Sequence, residues 1–263
     1  MKGSPRVQAG SVDVVLHRKF EFSQLDPTGP VRFRSLKPLA VMVYGVPGSG
    51  KGTFGKLLCR LTGWPHISTG HLLRKHITDN TEFGQASIGI LNGEYVPDRI
   101  ADELVAQRIE LDDCKDSFIL DGYPRTLPQC TAFLPLLERM QIEPIIVRLQ
   151  LDQDIIKSRL MTRVTCSFCG TTFNLVHLLP SLTGLCDECG SPLATRIDDQ
   201  VMLIDKRIQF YDKLTGPVER YLLESSFRCR QFDASLEPGQ IVSRFLNGLV
   251  GDSLANKSFA AAQ

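Results

Sequence analysis

The sequence predicts an α/β fold, a doubly wound open sheet of parallel strands, on three observations. Short apolar runs recur between helically patterned segments. A glycine-rich stretch directly follows the first run, and an acidic residue closes the second. Runs apolar on both faces are what parallel strands covered by crossover helices require.

Taken in order, the runs are LAVMVYG (39–45), SFILDGYP (117–124), EPIIVRLQL (143–151) and SFRCRQFDA (226–234). LVAQRIEL (104–111) and TAFLPLLERM (131–140) have the spacing of crossover helices. Ligands of such sheets bind beyond the carboxyl ends of the strands, where both the glycine-rich loop and Asp121 fall. Residues 38–250 are expected to form this core. Residues 1–37 hold seven Lys/Arg against three acidic residues and read as an appendage; 12–22 alternate like a strand. A transit peptide is the alternative there, disfavoured by Asp13, Glu21 and Asp26. The stretch 164–197 interrupts the rhythm with Gly, Pro, Ser and Thr and reads as an insertion, and the tail 251–263 is expected to fray.

The 30 basic and 29 acidic residues leave a net charge of +1, which predicts no nucleic-acid partner. No apolar run approaches the roughly 20 residues of a membrane span. Of eight cysteines, Cys59, Cys114, Cys130 and Cys229 are scattered through apolar stretches and read as core residues. A reducing compartment, hence a cytoplasmic location, is expected.

GVPGSGKGTFGKLL (45–58) nearly fits the phosphate-loop pattern G-x-x-x-x-G-K-[ST]. Between an apolar strand and a helix, Gly48, Ser49 and Gly50 would turn backbone N–H groups toward phosphates, and Lys51 would reach the terminal ones. The misfit is Gly52, which has no ligand atom where the pattern wants a hydroxyl for magnesium; Thr53, one place late, suits an α-phosphate. Asp121 is the candidate to hold Mg²⁺ through its waters. Cys166-x-x-Cys169, sixteen residues, then Cys186-x-x-Cys189 has the spacing of a structural Zn²⁺ site with no open position; disulfides or an iron cluster are the alternatives. His177 lies between the pairs as a candidate fifth ligand or a plain loop residue. The loop it sits in, 170–185, contains no Lys or Arg, which argues against a nucleic-acid module.

GVPGSGKGT resembles the phosphate loop of the adenylate kinases, with ISTGHLLR (67–74), NGEYVPD (92–98), FILDGYPRTLPQ (118–129) and TRIDD…KR (195–207) matching further family segments in order. The resemblance spans about 39–250 and implies transfer of a phosphoryl group from Mg·ATP to AMP by a monomer acting on small nucleotides. It implies a zinc-stapled lid at about 164–197 and a monophosphate-binding segment at about 68–97. Arg74 and Arg125 become candidates to clamp the acceptor phosphate. Gln129 could present a donor and an acceptor to adenine, with Thr69, Gly93, Val96 and Gly122 completing the pocket. Thr69 favours AMP over pyrimidine acceptors. Arg159 and Arg163, four apart in DQDIIKSRLMTR, are expected to share a helix face; with Arg196 and Arg207 they would converge on the transferring phosphoryl and the donor nucleotide. Two departures stand out: His71, where the family usually has Asp, and Ala234-Ser235, where glycine is more usual. His71 either bonds a metal-bound water, titrating near about 6.5, or packs against the monophosphate segment. A GTP-using or other nucleoside monophosphate kinase, and a nucleotide-binding pseudoenzyme, remain alternatives.

Overall fold

The computed structural model describes residues 37–260, with side chains described to Leu249. Its centre is a five-stranded, all-parallel sheet whose strands lie side by side in the order 66–68, 117–121, 39–44, 143–150 and 228–233. The chain enters at β1 (Leu39–Tyr44), passes the glycine loop and runs through α1 (Lys51–Thr62) to the short β2 (His66–Ser68). Next come α2 (Thr69–Thr78), α3 (Glu82–Ala86) and α4 (Asp98–Ile109), then β3 (Ser117–Asp121), α5 (Leu127–Arg139) and β4 (Glu143–Gln150). Helix α6 (Gln153–Met161) leads into a separate three-stranded antiparallel sheet of β5 (Arg163–Cys166), β6 (Thr172–Asn174) and β7 (Leu193–Ala194). The chain returns through α7 (Val201–Phe210), a π-helical turn (Tyr211–Thr215), α8 (Gly216–Glu224), β8 (Arg228–Asp233) and α9 (Pro238–Ala260).

Strand β1 is buried along its whole length, and its alternate residues feed two cores. Ala40, Met42 and Tyr44 pack with Phe118, Leu120 and Phe133 on one face. Leu39, Val41 and Val43 pack with Phe54, Trp64 and Phe245 on the other. That two-sided burial is why the run carries no polar residue. Register places Val43 beside Asp121, and Asp121 beside Ser68, so the strand ends form one rim.

The four anticipated strands are present. The fifth, β2, has three residues and one fully buried side chain, Ile67, too little for a periodic signal. The expected helix over 152–163 is shorter: it stops at Met161, Thr162 caps it, and Arg163 opens β5. Arg159 and Arg163 therefore do not share a helix face, because Arg163-Val-Thr is drawn into the antiparallel sheet opposite Asn174. Residues 251–260, expected to fray, continue α9. All of the proposed appendage 1–37 but Lys37, its strand over 12–22 included, and the last three residues lie outside the described residues. Among the described residues, no helix is long and apolar enough to cross a membrane.

Candidate active site

A cavity of about 1080 Å³ opens beyond the carboxyl ends of the strands, lined by the glycine loop, Asp121 and the arginines of several elements. Gly48 (φ 86°) and Gly50 (φ 92°) take left-handed backbone that other residues rarely adopt, and Gly50 forms the N-cap of α1 without any side-chain cap. The first N–H groups of α1 are thus left for an anion, with the helix dipole behind them. Ser49 is buried with an unpartnered hydroxyl, and Gly52 and Thr53 line the cavity on the first turn. Lys51 Nζ donates to Gly45 O (2.6 Å) and Val46 O (3.0 Å). Burial lowers its pKa to about 8, opposed by Asp121 and aided by Arg125 and Arg207.

Asp121 ends β3 and faces the loop; a Cβ on Gly52 would lie 3.5 Å from its Oδ2. Burial works to raise its pKa, but His66, Lys51 and Arg125 outweigh that and hold it at about 2. The carboxylate is therefore charged at neutral pH, a fit for holding the waters of a hard cation. His66 escaped the sequence reading. Its Nε2 lies 3.6 Å from Asp121 Oδ2, beyond a hydrogen bond but within electrostatic reach, and a Cβ on Gly55 would collide with its ring at 2.5 Å.

Four arginines meet around two buried carboxylates that sequence reasoning also missed. Arg163 donates from Nε to Asp199 Oδ2 (2.6 Å) and from Nη2 to Oδ1; Arg207 Nη1 reaches Asp199 Oδ1 (2.5 Å). Arg196 forks onto Asp198, and Arg74 Nη1 stands 3.9 Å from the same carboxylate. Asp198 is held well below the usual carboxylate range: Arg196 and Arg207 overcome its burial. Burial and Arg196 lower Arg163 only to about 10, so it stays charged at neutral pH. Four guanidinium groups over two carboxylates leave the cluster net positive on the cavity wall. The signal in the sequence was the DD of TRIDD, read only as part of a pattern. Arg159 stands apart, with Nη1 donating to Ala234 O (2.9 Å) at another part of the cavity.

On the remaining side, Arg125 lies over the Tyr95 ring (5.4 Å) and its Nε donates to Gly122 O (2.6 Å). Gln129 is buried, not a solvated helix residue. Its Oε1 accepts the backbone N–H of Arg125 (2.7 Å) and Thr126 (3.3 Å), closing the capping box of α5. The expectation that it shows both a donor and an acceptor is thus corrected, since the oxygen is committed to backbone. Thr69 likewise gives its proton to Gly122 O (2.8 Å). Thr69, Val96 and Gln129 line a small recess of about 20 Å³, and Gly93 borders the main cavity, where a Cβ would press on Arg207.

The four cysteines converge, with their Sγ atoms all within 4.8 Å of one another. Cys166–Cys189 and Cys169–Cys186 are each 3.5 Å apart, far too long for disulfides and close to the ~3.8 Å edge of a tetrahedron of thiolates about 2.3 Å from zinc. Gly170 N donates to Cys166 O (3.0 Å) and Gly190 N to Cys186 O (2.8 Å), so each pair forms the same tight turn. Ser191 lowers the Cys189 thiol to about 6. His177 is exposed and outside this group. Both turns also touch the core: Arg60 pairs with Glu188 of the second (2.5 Å), and Lys56 Nζ donates to Cys169 O (2.6 Å) and Thr171 Oγ1 (2.8 Å) at the first. His71 meets the same turn, since a Cβ on Gly170 would lie 2.6 Å from its Nδ1. Burial, then Arg74 and Lys56, lower its pKa to about 4, so the expected titration near 6.5 is corrected. The ring packs on the cysteine turn rather than on its own segment.

Comparison with known proteins agrees with this geometry. The adenylate kinase family model matches residues 43–226. Among curated relatives, the adenylate kinase of Thermosipho melanesiensis is 36% identical over 209 residues, 79% of this chain and 97% of that protein. That of Fervidobacterium nodosum is 40% identical over 179 residues (67% and 82%), and that of Bacillus subtilis 37% over 190 (71% and 87%). A phosphate loop at the switch point of a parallel sheet, a charged aspartate beside it and a matching family model over most of the core lead to one conclusion: the chain belongs to the adenylate kinase family.

Proposed function

We propose that the protein catalyses reversible phosphoryl transfer from Mg·ATP to AMP, giving two ADP. The observation that carries this reading is the convergence of Lys51, Asp121 and the arginine cluster on one cavity with room for two nucleotides. The N–H groups around Gly48–Thr53 and Lys51 bind the donor phosphates. Asp121 holds the waters of the substrate's magnesium, since Gly52 offers it nothing. Arg125 and Arg74 orient the acceptor phosphate, Arg163, Arg196 and Arg207 stabilise charge on the transferring group, and Arg159 flanks the donor nucleotide beside Ala234. The acceptor phosphate is already anionic, so no general base is needed. The four thiolates fit a structural zinc, which would staple residues 163–194 as a lid. We read the enzyme as a cytoplasmic monomer. ADP formation with AMP, CMP, UMP and GMP as acceptors, and ATP or GTP as donors, tests it: AMP with ATP should be fastest. A protein that binds ATP yet forms no ADP would instead be a pseudoenzyme.

A pH dependence follows from Lys51. A bound polyphosphate favours the ammonium form, whereas burial holds the free group at about 8. Binding therefore takes up a proton above pH about 8, and ATP affinity should fall as pH rises through that value. Calorimetry in buffers of differing ionisation enthalpy measures the uptake; none at pH 9 would remove Lys51 from the donor site.

A further inference from the structure

One buried carboxylate beneath the phosphate loop has no part in the roles above. Glu219, in α8, accepts the Tyr211 hydroxyl proton at Oε1, and Arg148 Nε of β4 lies 3.2 Å from its Oε2. Burial pushes its pKa upward, opposed by Arg148, by Lys51 and by the amide of Gly45, the loop's first glycine. Tyr44, which pairs with Arg148 across β1 and β4, adds a buried hydroxyl without a partner. Arg148 also reaches across to Gln231 of β8, with Nη1 3.5 Å from its Oε1.

Tyr211 opens the π-helical turn, and Thr215 closes it. Such turns recur at functional sites because they break the regular register of a helix. Thr215 donates its one hydroxyl proton to Arg125 O (3.2 Å), so Tyr95 is the donor in the 2.6 Å contact between Tyr95 and Thr215. Tyr95 in turn lies under the Arg125 guanidinium. Residues 211–219 thus reach the end of β1, where the donor loop begins, through Glu219 and Arg148, which lies opposite Tyr44, and the acceptor side through Thr215.

We propose that Glu219 is a positioning residue which, through Arg148 and Tyr211, sets the phosphate loop in register with the Arg125–Tyr95 side of the cavity. The inference rests on reading the cavity as a two-nucleotide phosphoryl-transfer site. Stability alone gives little reason for the pair, since the Arg148 side chain is 35% exposed and partly exposed ion pairs contribute little. Alignment does: in-line transfer loses rate when reacting groups are displaced by about 1 Å.

The test replaces the pair by apolar residues, R148M/E219L, alongside E219Q, with melting temperature, kcat and both KM values measured. The double variant should remain folded yet lose about tenfold or more in kcat, with KM for ATP and AMP within about twofold. E219Q, which keeps the volume and an acceptor for Tyr211, should lose kcat in the same way, and decides the matter where the double variant does not fold. Wild-type kcat in a folded variant, or a loss confined to KM, overturns the inference and leaves the pair a packing feature. A wild-type protein that forms no ADP overturns the site reading itself, and this inference with it.

Discussion

Arg163→Ala is expected to lower kcat by roughly 10²–10³-fold, the scale of losing one preorganised contact to a developing charge. The structure adds a second effect. Arg163 forks onto Asp199, which has no exposed side-chain surface. Asp199 keeps its contact with Arg207 (2.5 Å), so the loss should stay below the roughly 3–5 kcal/mol typical of a buried charge left unpaired, and the melting temperature should drop by on the order of 5 °C. The two effects separate in Arg163→Lys, which keeps the charge and loses the fork: part of the stability should return, while most of the rate loss persists. Rates are therefore to be measured well below each variant's melting point. Near wild-type turnover in a folded Arg163→Ala protein would remove this arginine from the transferring phosphoryl and leave it a brace for Asp199.

Loss of the zinc proposed at the four cysteines is expected to have the largest local effect on stability. One zinc per chain should be found by elemental analysis. Cys166→Ser, or a strong chelator, should release residues 163–194 to rapid amide exchange while β1, β3 and β4 stay protected. Structural zinc in isolated fingers contributes about 10–16 kcal/mol of apparent binding energy, and the small antiparallel sheet has little else: its buried apolar cluster is Val164, Phe173 and two of the cysteines themselves. Activity should fall with it, because Arg163 and Arg196 flank the same segment. A protein purified without chelator that carries no zinc, yet protects 163–194, would show that packing alone holds the segment.

What the sequence made legible was chemistry written in consecutive residues. The glycine loop, the aspartate ending a strand and the paired cysteine turns each follow from local backbone demands, and each lies where strand–loop–helix order puts it. What stayed hidden depends on distant partners. Asp198 and Asp199 acquire meaning only when Arg74, Arg163 and Arg207 arrive from three other elements. His66 sits on a strand too short to announce itself, and its neighbour Asp121 is 55 positions away by number but one strand across. Gln129 was placed correctly near Arg125, yet its oxygen closes a helix cap, a choice that only backbone geometry at Thr126 reveals. His71 kept its place and lost its expected titration, because burial and neighbouring cations, invisible in one dimension, decide the proton.

Helix α1 begins at the phosphate loop and, one and two turns later, holds one cysteine turn through Lys56 and the other through Arg60. Its two ends of duty differ in strength. The Arg60–Glu188 pair is largely exposed, so it contributes about 0–1 kcal/mol and fades with ionic strength. The Lys56 bonds go to a neutral carbonyl and a hydroxyl, worth about 1.5–3 kcal/mol each at most. A clasp this light suits the proposed lid, since a cover that must reopen once per cycle gains nothing from a grip that outlasts the chemistry. Moderate salt should therefore quicken product departure, and turnover with it wherever departure sets the pace. Lys56→Met, by loosening the clasp from the core side, should mimic that salt effect at low ionic strength.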